Sequence, residues 1–217
     1  MTPQRKLVTS RRNPPRTPVI TIFFGCIPSL PNLVFVGLYG YRTGNADYVL
    51  GRLFLMDLYV LRHGKAEPSL PQERDDFDRA LTRQGRDEIH QIVAWMLRRG
   101  CRFDMIATSP FKRAIETAEI IAETYGLRKN LLVWEELSPG MDFVQLMKQI
   151  ESRRDVSSLL IIGHEPSLSG CIGWIISQGG QASLQLKKGG LARIRNFTPL
   201  PVFGELSWLI PPGHMRD

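Results

Sequence analysis

The chain is poor in several features that would narrow its class at once. It has only three cysteines, Cys26, Cys101 and Cys171, an odd number with no CxxC spacing, which argues against a disulfide framework and a zinc knuckle. Reduced thiols and a cytoplasmic location are the expectation. It also lacks an unbroken apolar run of membrane-spanning length: the best candidate, residues 19–41, is interrupted by Pro28 and Pro31. No membrane partner is expected. There is no internal repeat and no low-complexity tract in the core, so solenoid and array folds drop out.

Acidic residues are nearly missing from the first 55 positions, where Asp47 alone faces seven Lys and Arg. The net charge of +7 therefore belongs almost entirely to this stretch. It gives no reason to expect the remainder to bind nucleic acid. Six prolines and no sustained period of 3.6 or 2 mark residues 1–55 as an appendage. Three explanations stand open: a translated segment ahead of a start at Met56, an Arg-rich targeting peptide, or a disordered tail.

From Met56 to the C-terminus strands and helices alternate, which predicts a three-layer α/β/α sandwich on a mainly parallel sheet. Asp57 to Arg62 reads as a buried strand, followed by a polar loop from Gly64 to Arg79. Thr82 is expected to cap a helix that turns Ile89, Ile92, Val93, Met96 and Leu97 inward, with Gly100 ending it. Phe103 to Thr108 is a second strand. Ser109 as N-cap and Pro110 as first helical residue are expected to open a helix carrying Ala114, Ala118 and Ala122, ended by Gly126. A short strand at Leu131 to Trp134, a helix at Asp142 to Glu151, a central strand at Ser158 to Ile162 and a helix at Ser167 to Ser177 follow. Leu191 to Phe197 and Phe203 to Ile210 are expected to pair as an antiparallel C-terminal edge.

Three segments carry chemistry, each at the end of a predicted strand, where open α/β sheets bind ligands. Arg62-His63-Gly64 puts an arginine and a histidine directly after a buried strand, and Gly64 would let the backbone approach an anion. Ser109 to Ala114 is a strand-to-helix junction carrying Arg113, a natural anion site. Gly163-His164-Glu165-Pro166 repeats the strand-then-histidine arrangement. Singly, each fits an ordinary loop; together, two histidines and two arginines suit phosphoryl transfer.

At these residues the chain resembles the histidine phosphatase superfamily, the phosphoglycerate mutase-like group. The RHG motif stands at Arg62 to Gly64, an SPxxRAxxTA-type segment at Ser109 to Ala118, a GHxP-type motif at Gly163 to Pro166, and an LTxxG helix opening at Leu81 to Gly85. The resemblance covers about Met56 to Ile210. It implies that His63 is a nucleophile forming phosphohistidine, with Arg62, Arg113 and His164 binding the phosphoryl group and no metal or other cofactor required. It also implies a general acid after the third strand. Glu136 is the preferred candidate, with Glu135 and Glu165 as alternatives.

Between Arg113 and His164 the chain must fit the rest of a helix, a strand, a helix and a strand, leaving nothing for a lid. This resembles the compact SixA-type phosphohistidine phosphatases. An uncovered cleft suits a phosphohistidine carried on another protein, so the expected activity is dephosphorylation of a signalling or phosphotransfer protein by a monomer. The alternatives are a broad small-molecule phosphomonoesterase or mutase-like enzyme, and a catalytically silent phosphate-binding domain.

Overall fold

The computed structural model describes residues 55–68, 76–180 and 182–215, together with the backbone of three short N-terminal strands. The chain divides into two units, Met1–Leu53 and Phe54–Asp217. In the first, β1 (Phe23–Gly25), β2 (Val36–Tyr39) and β3 (Gly51–Arg52) form an antiparallel sheet in the order β1-β2-β3. The remaining expectations for residues 1–55, Cys26 included, lie outside the described residues.

The second unit is built on a six-stranded sheet. Its strands are β4 (Met56–Arg62), β5 (Met105–Thr108), β6 (Leu131–Val133), β7 (Ser158–Gly163), β8 (Leu191–Pro199) and β9 (Val202–Ile210). They lie in the order β6-β5-β7-β4-β8-β9. The first four are mutually parallel, and β8 and β9 close the edge antiparallel. The predicted sandwich and its antiparallel edge are both present.

Side-chain alternation in the central strands supplies two cores, one on each face. Leu58, Val60, Met105, Leu159 and Ile161 point to one face and pack with α3 (Phe143–Glu151) and α4 (Ser167–Ile176) through Leu146, Ile150, Leu168 and Ile172. Tyr59, Leu61, Ile106, Leu160 and Ile162 point to the other, under α1 (Arg83–Arg98) and α2 (Lys112–Tyr125). Cys101 and Cys171 are buried free thiols. Among the described residues no helix is long and apolar enough to cross a membrane.

Helix ends follow local chemistry. Thr82 caps α1 by accepting from the Gly85 N–H at 2.9 Å, and Asp142 caps α3 through Val144 and Gln145. Gly126 ends α2 at φ 70°, a left-handed conformation open to glycine without strain. Two expectations are corrected. Leu97 is 41% exposed, and Trp95 is buried in its stead, because the indole meets Trp208 of β9 at 5.9 Å between ring centroids. The helix α2 begins at Lys112 with Phe111 as its cap residue, so Ser109 and Pro110 stand before it.

Candidate active site

Because β4, β7 and β5 are adjacent and parallel, the residues that follow them share one edge of the sheet. His63 follows β4, His164 follows β7, and Ser109 to Arg113 follow β5. All three key side chains are deeply buried: His63 is 5% exposed, Arg113 3% and His164 2%. The two imidazole centroids lie 4.9 Å apart.

The hydrogen bonds fix the protonation pattern. Arg113 Nε donates to His63 Nε2 at 3.3 Å, and Nη2 lies 3.2 Å from His164 Nδ1. A guanidinium only donates, so both of those ring nitrogens carry lone pairs. The ring protons then sit on His63 Nδ1, donated to the Gly64 carbonyl at 2.7 Å, and on His164 Nε2, donated to Ser109 Oγ at 2.8 Å. Ser109 also accepts from the Phe111 N–H at 3.3 Å. The serine read as a helix cap thus holds a histidine as well as the turn ahead of the helix.

Electrostatics keep both rings neutral. Burial pulls His63 down to about 3, with His164, Arg113 and Arg62 acting in the same direction against the Gly64 hydrogen bond. Burial, then Arg113, lowers His164 to about 4. Arg62 is half-buried, with Nη1 donating to the Leu186 carbonyl at 3.1 Å. Its Nε is buried and has no hydrogen-bond partner among the described residues. Burial lowers its pKa and nearby Glu165 opposes that shift. Glu165 itself accepts from the Ser169 N–H at 3.1 Å at the start of α4.

The glycines near this loop serve packing. A Cβ on Gly64 would sit 3.0 Å from Ile89 and 3.3 Å from the Gly85 carbonyl, and a Cβ on Gly85 would overlap the Lys65 backbone. Glycine at both positions permits a close approach of α1 to the histidine loop. Gly64 N–H donates to Thr117 Oγ1 at 3.2 Å, while that hydroxyl donates to the Arg113 carbonyl at 2.7 Å. The Gly189 N–H reaches the carbonyls of Arg62 and His63 from the far side.

Sequence reasoning missed Leu186, Gly189 and Asp76, and gave no role to Thr117 within the Ser109 to Ala118 segment. Asp76 accepts from Arg113 Nη2 at 2.9 Å through its carboxylate. The two acid candidates after β6 are not drawn into the cluster, whereas Glu165 lies near Arg62. Glu135 is exposed and Glu136 half-buried on the short turn Glu135–Leu137. They line a depression of about 440 Å³ with Ser138, Asp142 and Gln145, and neither carboxylate is hydrogen-bonded to His63, Arg113 or His164.

The profile of the Histidine phosphatase superfamily (branch 1) matches residues 58–138, the stretch that holds His63 and Arg113. An uncharacterized protein of a Picosynechococcus strain is 32% identical over 168 residues, covering 72% of this chain and 100% of the relative. The chain belongs to the histidine phosphatase superfamily. Phosphohistidine phosphatase SixA of Escherichia coli is 29% identical over 125 residues, covering 57% of this chain and 73% of that protein. Among solved structures, the protein histidine phosphatase SixA complexed with tungstate superposes with a TM-score of 0.63 at 23% identity, over 74% of this chain and 100% of the other. The fold is that of the phosphoglycerate mutase-like histidine phosphatases, and the activity class is phosphatase, acting on phosphorylated substrates.

Proposed function

We propose that this phosphatase removes the phosphoryl group from phosphohistidine on a signalling or phosphotransfer protein, through a covalent intermediate on His63. The observation that carries the reading is the state of His63: a neutral imidazole whose Nδ1 proton is held by the Gly64 carbonyl, leaving the Nε2 lone pair turned to Arg113, with the His164 ring 4.9 Å away between centroids.

The nucleophile is activated by tautomer and burial, with no separate base. Nε2 attacks phosphorus in line. The new N–P bond forms as the substrate's N–P bond breaks, and the departing imidazole takes a proton from solvent water. Water then cleaves the His63 phosphoramide and releases inorganic phosphate. Charge on the transferring group is met by Arg62, whose Nε is unpartnered among the described residues, and by Arg113, in place of a metal. An incoming phosphoryl anion counters the burial that now holds His164 neutral, so His164 gains a proton and becomes a third donor.

Two features favour a protein-borne phosphohistidine over a small ester. From Arg113 to His164 the chain is used up by α2, β6, α3, β7 and short turns, with no lid inserted. Glu136, the preferred proton donor for an ester's leaving oxygen, is not tied to the cluster, and an imidazole leaving group depends less on such an acid. The test is a parallel assay of a phosphohistidine-bearing carrier protein and a panel of small phosphoesters, with His63→Ala as blank. Faster turnover of the carrier supports the proposal. Esters cleaved far faster would make the enzyme a small-molecule phosphomonoesterase.

A further inference from the structure

The Arg113 guanidinium has two edges that can each engage a pair of acceptors. One, Nε with Nη2, points at His63 Nε2 and His164 Nδ1. The other, Nη1 with Nη2, is gripped by Asp76: its backbone carbonyl accepts from Nη1 at 2.6 Å and its Oδ2 from Nη2 at 2.9 Å. Asp76 is itself held. Its Oδ1 accepts from Arg79 Nε at 2.7 Å, and Arg79 Nη1 is anchored on the Glu67 carbonyl at 3.0 Å. The Phe111 ring covers one face of the guanidinium, 4.8 Å from its central carbon. A planar group fixed along one edge and one face has a single orientation left.

We infer that Asp76 is a positioning residue that holds Arg113 side-on, so that the Nε and Nη2 edge meets the phosphoryl oxygens beside His63. Asp76 also supplies the negative charge that a deeply buried guanidinium needs when no phosphate is bound. The inference rests on the proposed attack by His63. A carboxylate so close to an anion site has one rival role, as an internal competitor for Arg113, and the two roles predict opposite signs.

The experiment compares the full chain with Asp76→Ala and Asp76→Asn, measuring kcat and KM with phosphoramidate as donor and the affinity for inorganic phosphate by calorimetry. Positioning predicts a loss of roughly 10- to 100-fold in kcat for Asp76→Ala, with little change in KM. It also predicts weaker phosphate binding and partial recovery in Asp76→Asn, whose amide oxygen still accepts from Nη2. If Asp76→Ala does not fold, the near-isosteric Asp76→Asn carries the test through a smaller kcat loss in the same direction. Tighter phosphate binding with kcat kept or raised would make Asp76 a competitor and overturn the inference. No change in either quantity would reduce it to a surface ion pair. Wild-type protein that never phosphorylates His63 would remove the underlying reaction, an outcome distinct from both.

Discussion

At the ends of β4, β5 and β7, His63, Arg113 and His164 are almost fully buried, and every histidine ring nitrogen in the group has a partner. At the end of β6, one strand further along, Glu135 and Glu136 ride on a short turn at the surface, joined to none of those three. The same sheet edge thus carries a buried, hydrogen-bonded cluster, the proposed attack and charge-binding apparatus, beside an uncommitted pair of carboxylates. Preorganisation is where most electrostatic catalysis originates. On the proposed mechanism, the difference separates the half of the reaction the protein would drive itself, the attack on phosphorus, from the half it would leave to the leaving group.

Substitutions on the two sides should separate accordingly. The largest effect is expected from His63→Ala, which removes the proposed attacking atom and should lower phosphate release by about 10⁴-fold or more in a steady-state assay. Arg113→Lys keeps the charge but loses the planar fork, and a fall of roughly 10²- to 10³-fold in kcat is expected. On the other side, Glu136→Gln should change phosphohistidine turnover by less than about threefold while lowering ester hydrolysis by about tenfold or more. If both substrates suffer equally, the carboxylate belongs to the apparatus and the contrast collapses.

The smallest effect concerns stability. His63 and His164 are held in the fold at about 3 and about 4, below the ordinary value of 6.5. Between those limits the unfolded chain binds protons that the folded chain refuses, so stability is full above about pH 6.5 and declines as pH falls. Thermal midpoints measured from pH 7 to pH 4 should drop by several degrees, and the slope should flatten in a His63→Gln, His164→Gln double variant. An unchanged slope would mean that other groups set the acid limb.

Local features of the amino-acid sequence account for much of this architecture. The strand at Asp57 to Arg62, the Thr82 cap, the alanine stripe of α2 and the three strand-end motifs all follow from period, caps and spacing. The misreadings share one cause, contacts made by distant chain. Leu97 yields to Trp95 because β9 brings Trp208 against that side of α1. Ser109 serves His164 because β7 delivers the imidazole within 2.8 Å. Gly85 opens α1 as its motif implies, but that it and Gly64 also let α1 lie against the histidine loop depends on a contact the local pattern does not show. Asp76, in a polar loop 37 residues from Arg113, had no local signal to separate it from Asp75 or Asp78.

The proposed reaction turns on His63 as the residue that takes the phosphoryl group. Its most direct test is rapid mixing of the full chain with labelled phosphohistidine carrier, quenching in base to preserve N–P bonds, and mapping of the labelled peptide. The prediction is transient label on the peptide containing His63, absent in His63→Ala and prolonged when the hydrolytic step is slowed. Steady release of phosphate with label on another residue, or with no protein-bound label at any time, would contradict it.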